Sequence, residues 1–109
     1  MPLLKGTLDV LVLKTLSWGP MHAFEITKWL EDRSGGRLSV EDAALMQALH
    51  RLEERDILAA EWAITDKGRR ARYYRLTTRG RAFLRAETKR LTEYTEALNA
   101  ILAVRSVNG

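Results

Sequence analysis

Apolar residues recur along this chain with two different periods, and the change of period separates helices from a hairpin. From Leu4 to Trp18 the spacing is three and four, which predicts a helix with Leu4, Leu8, Leu11, Val12 and Thr15 on one face. Val10 and Leu13 fall on the opposite side, so this helix reads as apolar on two faces and in want of a second packing partner. Gly19-Pro20 ends it, and His22 to Arg33 reads as the next helix, with Ala23, Ile26, Thr27 and Leu30 turned inward. Ser34-Gly35-Gly36 follows as a turn. Its glycines read as punctuation, because no phosphate-cradling glycine pattern surrounds them.

Ser39-Val40-Glu41-Asp42 reads as a capping-box variant that opens a third helix. Leu45, Leu49 and Leu52 form its inner row, with Ala48 beside them. Ala43, Gln47, His50 and Glu54 form the opposite row and face solvent or a ligand. After Asp56 the residues suit strands: Ile57–Ile64 and Ala71–Thr77 flank a polar turn in which Gly68 supplies a positive φ. Thr77 then caps a last helix running to about Val104. Leu84, Leu91 and Leu98 repeat every seven residues along it, with Tyr94 and Ile101 on the same stripe, as in a coiled-coil seam. Such a helix is roughly 40 Å long, more than so small a chain can cover. Most of the seam is expected to meet something outside the subunit. The predicted fold is mainly α with a small β-hairpin (α+β). A winged helix-turn-helix spans 1–77 and a long dimerisation helix 78–109, together one structural unit.

The length of 109 residues allows one domain with one modest core. The net charge of +4 is mild, but its distribution is not. Ten basic residues stand against Asp66 and Glu87 between Thr65 and Arg90, whereas eight acids face four bases between Glu31 and Ile64. Charge segregated this way orients a protein on a phosphate backbone. The absence of cysteine excludes disulfides, thiolate metal sites and cysteine nucleophiles. Apolar runs such as Val10 to Leu13 are too short for a membrane span, so a cytoplasmic protein with no membrane partner is expected.

The chemistry legible here is recognition. His22 reads as a helix cap. Neither it nor His50 has a carboxylate at the spacing of a metal motif, so no metal is expected. The serines lack a nucleophile-elbow context, and Glu53-Glu54 reads as a solvated helix end. No enzyme and no cofactor are expected. A helix fits the major groove, where Gln47 can bond adenine, His50 can donate to guanine, and Ala43 lets the backbone approach. Lys67, Arg69 and Arg70 at the hairpin tip can reach phosphates or a minor groove. The expected contacts to double-stranded operator DNA are Ala43, Met46, Gln47, His50 and Arg51 on the third helix and Lys67, Arg69, Arg70 and Arg72 on the hairpin. Trp62 reads as strand packing, and Trp29 and Phe24 as partial core.

Four segments resemble the PadR-type transcriptional regulators, in their short subfamily. These are Gly6-Thr7-Leu8-Asp9-Val10-Leu11-Val12-Leu13, Gly19-Pro20-Met21-His22, Ala48-Leu49-His50-Arg51-Leu52-Glu53 and Gly68-Arg69-Arg70-Ala71-Arg72-Tyr73-Tyr74-Arg75-Leu76-Thr77. The resemblance spans roughly Leu4 to Leu84. It implies a homodimeric repressor with the first and last helices at the interface, and small effectors bound there by some members. On that basis Leu4, Val10, Leu13, Leu84, Leu91, Tyr94, Leu98 and Ile101 are the expected dimer interface. Val10, Leu13, Trp18, Leu91 and Tyr94 are the expected lining of a pocket for a planar hydrophobic molecule. Three departures stand out: Ala23-Phe24 replaces the family's Gly-Tyr, Ala44 lacks a hydroxyl, and Met46 replaces a tyrosine. With Glu41 and Asp42 near the helix start, they predict weaker phosphate contact or an atypical operator. The competing expectation is a winged-helix adaptor that binds protein and never touches DNA.

Overall fold

The computed structural model describes residues 6–105, so Leu4 lies outside the described residues. The elements follow in the order α1 (Leu8–Leu16), α2 (Ala23–Arg33), α3 (Asp42–Glu54), β1 (Leu58–Ile64), β2 (Arg70–Leu76) and α4 (Thr78–Leu102). This is the expected winged helix-turn-helix with a long final helix.

Helix α1 is the centre of the packing. It contacts α2, α3, β2 and α4. Val12, Leu13, Leu16 and Thr15 are fully buried, and Val10 nearly so. The Thr15 hydroxyl donates to the carbonyl of Leu11 at 2.8 Å, which removes the cost of burying it. Here the expectation of a second free face fails. Val10 and Leu13 are consumed by the chain's own core, and neither is offered to a partner or a ligand. The physical reason is that four elements of one chain surround α1, so a helix apolar on two faces needs no second subunit.

Gly19-Pro20 ends α1, and Met21 then pairs with Tyr74 of β2 through N–H···O bonds of 3.1 and 2.9 Å. His22 is the N-cap of α2. Its Nδ1 accepts from the Glu25 amide at 3.3 Å while the Glu25 carboxylate accepts from the His22 amide at 3.2 Å, a reciprocal capping box. Helix α3 begins differently from expectation. Glu41, not Ser39, is its N-cap, and no side chain caps it. The inner row Leu45, Ala48, Leu49 and Leu52 is buried.

Asp56 adopts a left-handed φ of 59° directly after α3 and swings the chain into β1. The two strands pair antiparallel with Leu58 opposite Leu76, Trp62 opposite Arg72 and Ile64 opposite Arg70. Their open end closes through Thr65–Arg69, where the Thr65 amide donates to the Arg69 carbonyl at 2.7 Å and Gly68 takes a φ of 77°.

The base of the hairpin is locked to α4 by a compact junction. The Thr77 amide donates to the Ile57 carbonyl at 3.1 Å, and the Thr77 hydroxyl donates to the Asp56 carbonyl at 2.7 Å. The same hydroxyl oxygen accepts from the Gly80 amide at 2.9 Å, so it caps α4 as expected. A Cβ at Gly80 would stand 2.1 Å from the Ile57 carbonyl oxygen, so only glycine fits. Phe83 and Leu84 then pack on the core. Leu84 therefore belongs partly to its own chain's core, and the free stripe starts at Leu91. From Thr92 to Arg105 every residue is exposed. The Cα radius of gyration, 16.4 Å, exceeds the ~13 Å of a compact chain this long because this half of α4 projects.

Candidate nucleic-acid interface

On α3 the outward row Ala43, Gln47, His50 is exposed, since Leu45, Leu49 and Leu52 hold the other side in the core. Met46 is exposed beside it. His50 Nε2 lies 2.8 Å from Glu54 Oε1, one turn on. Met46 and His50 share a cleft of about 450 Å³ with Glu53, Glu54, Arg72 and Tyr74. Helix α3 and the hairpin therefore border one cleft.

The wing tip is shaped by Thr65, whose hydroxyl oxygen also accepts from the Arg69 amide at 3.2 Å. This holds Lys67, Arg69 and Arg70 at the crown, all exposed, and none has an acidic partner among the described residues. Unpaired cations on a turn of fixed shape are well placed to meet phosphates.

Two arginines expected among the DNA contacts are engaged within the chain. Arg51 donates from Nη2 to Asp9 Oδ1 at 2.6 Å and ties α3 to α1. Arg72 donates from Nη2 to Glu53 Oε2 and ties the wing to α3. The reason for the second is strand periodicity. Tyr74 and Leu76 point to the core, so Arg72 shares the inward side with Tyr74 and meets α3. Burial pushes the Tyr74 phenol above its ordinary pKa, Arg72 pulls it back, and Glu53 adds to the rise. Burial likewise raises Tyr73, followed by the charges of Glu25 and Asp66.

Aromatic placement also departs from expectation. Trp62 is 54% exposed, with the Arg70 guanidinium 4.7 Å and that of Arg72 5.8 Å from its ring. It packs arginines rather than core, because β1 runs out beyond the body of the molecule after Ala60. Phe24 is exposed too, whereas Trp29 packs against the core under Arg33. Trp18 is exposed at the end of α1, with Lys14 over its ring at 5.8 Å. Among the described residues no group of three acidic, histidine or cysteine side chains could hold a metal ion. No described helix is long and apolar enough to cross a membrane.

The fold recurs in solved structures. The chain is 32% identical to a PadR-like transcription factor from Bacteroides fragilis, with a TM-score of 0.72, over 89% of this chain and 91% of that one. It superposes on smu.1704 from Streptococcus mutans with a TM-score of 0.83 at 23% identity, covering 97% of both chains. Bacillus subtilis PadR, solved in complex with operator DNA, matches with a TM-score of 0.68 at 19% identity, over 76% of this chain and 47% of that one. The model of the transcriptional regulator PadR-like family matches residues 12–86, from the middle of α1 through the wing into α4. The chain belongs to the PadR-like family of transcriptional regulators.

Proposed function

We propose that this regulator is a sequence-specific DNA-binding repressor that acts as a homodimer. The observation that carries the reading is that Met46 of α3 borders the groove lined by Lys67, Arg69 and Arg70 of the wing, while Gln47 and His50 stand exposed on the same helix. In this reading α3 enters the major groove, where Gln47 bonds adenine edgewise and His50, released from Glu54, donates to guanine. Lys67, Arg69 and Arg70 meet the flanking phosphates, while Arg72 and Arg51 hold wing and helix in register. The likeness to a fold solved in complex with operator DNA supports DNA as the partner.

The dimer rests on α4. Leu91 is half-buried and Tyr94, Leu98 and Ile101 are exposed along one stripe, an apolar surface of the kind a second copy covers. Two-fold pairing sets two recognition helices about 34 Å apart, one turn of DNA. A planar hydrophobic molecule bound near Trp18, Leu91 and Tyr94 at that junction would relieve repression only by preferring a dimer geometry that does not fit DNA.

The test is a gel shift on the DNA upstream of the protein's own gene, with excess random competitor at two salt concentrations. A retarded complex that survives competitor and weakens steeply with salt is expected. No complex on any DNA would overturn the reading in favour of a protein-binding adaptor.

A further inference from the structure

Between the start of α2, Met46 of α3 and the hairpin lies a groove of about 710 Å³, a size that suits a small organic ligand. Phe24, Met46 and Trp62 all stand in it with half or more of their surface in water, or close to half for Met46. Single exposed apolar residues are ordinary, but three in one recess make a surface that a ligand can use. His22 and Tyr73, 5.3 Å apart between ring centroids, extend the aromatic lining. The charged lining is five basic residues (Lys28, Lys67, Arg69, Arg70, Arg72) against Glu25 and Asp66.

Trp62 is the centre of the recess. Arg70 already lays a flat guanidinium over its ring, so the indole face accepts a planar group. The two arginines on it differ in freedom. Arg72 is anchored by Glu53, whereas Arg70 has no acidic partner among the described residues and is held by the Trp62 ring alone. A groove that joins an aromatic platform to cations without acidic partners matches the chemistry of a flat ring carrying a phosphate.

We propose that the wing groove binds a nucleoside phosphate, with the base stacked on Trp62 in place of the Arg70 guanidinium and the phosphate taken by Arg70 and Arg69. Paired bases hide their faces inside the duplex, so the ligand is a free nucleotide or an unpaired nucleotide of a strand. Binding itself does not depend on the operator reading. Its consequence does: Arg69 and Arg70 cannot serve the nucleotide and the operator together, so the two compete.

The test titrates the whole protein, without duplex, with adenosine monophosphate and separately with a short single-stranded oligoadenylate. Tryptophan fluorescence and calorimetry report binding. Saturable quenching in the millimolar range or tighter is expected for at least one ligand. Trp62→Ala should weaken it at least about fivefold and Trp62→Phe should restore part of the loss. Arg70→Ala should weaken adenosine monophosphate but not phosphate-free adenosine, whose ring then no longer has to displace a guanidinium from Trp62. Trp62 is exposed, so circular dichroism should report an intact fold in all three variants. Binding of the mononucleotide makes the ligand a free nucleotide, and binding of the oligonucleotide alone makes it an unpaired strand. No saturable binding of either, or unchanged affinity in Trp62→Ala, overturns the proposal. A gel shift on the same samples separates the two readings. Operator binding without nucleotide binding sinks this one alone, and the converse sinks only the operator reading.

Discussion

Adding one methyl group at Gly80 tests how the wing is held to α4. The Cβ of Gly80→Ala would stand 2.1 Å from the Ile57 carbonyl oxygen and 3.1 Å from its carbon. The carbonyl must recede by at least about 1.3 Å to reach ordinary contact. It is backbone, and it accepts from the Thr77 amide at 3.1 Å and lies 3.1 Å from the Thr77 hydroxyl, so receding strains both contacts. Losing two hydrogen bonds costs about 1 kcal/mol each, and overpacking adds about 1–3 kcal/mol. Removing a glycine from a helix returns about 1 kcal/mol. The balance is a loss of about 2–4 kcal/mol, which lowers the melting temperature by roughly 10–30 °C in a domain this small. Thermal unfolding followed by circular dichroism, at one fixed protein concentration, measures it. Gly68→Ala is the control. Its added Cβ meets nothing within 4 Å, but its φ of 77° is strained for any side chain, so a loss of about 1–2 kcal/mol confined to the wing tip is expected. A Gly80→Ala protein that melts at or above the parent temperature would refute the argument, because helix propensity would then outweigh the clash.

Three further outcomes concern DNA and assembly. Changing Arg69 and Arg70 together to Ala should weaken operator and random DNA alike and lower the salt slope by about 0.9 per lost phosphate contact; an unchanged slope would remove the wing from the backbone. Gln47→Ala or His50→Ala should weaken the operator by about tenfold and relax preference at particular base pairs, and equal loss on random DNA would reduce these residues to phosphate contacts. Leu91→Glu sets a charge into the α4 stripe, where an unpaired buried charge is costly, so sedimentation should report a monomer and operator binding should fail. A Leu91→Glu protein that still sediments as a dimer would disprove the α4 seam.

The local features of this chain were legible because they depend on near neighbours. The inner and outer rows of α3, the His22 and Thr77 caps and the positive φ of Gly68 each follow from residues within a turn or two. Together these place Gln47 and His50 outward and Lys67, Arg69 and Arg70 at a hairpin tip from near neighbours alone. What tertiary structure decided was which of several compatible partners each side chain met. Periodicity marks Val10 and Leu13 as apolar but does not say whose core they enter, and here α1 is surrounded by its own chain. Composition marks Arg51 and Arg72 as basic, yet their carboxylates, Asp9 and Glu53, lie 42 and 19 residues away in sequence. Alternation from the buried Tyr74 could have turned Arg72 inward, but not named Glu53. The Thr77 cap is legible in the sequence; the carbonyl of Ile57 pressed against α4 at Gly80 is not. Contacts between residues far apart in the chain depend on how whole elements pack, and that information belongs to the fold rather than to any stretch of sequence.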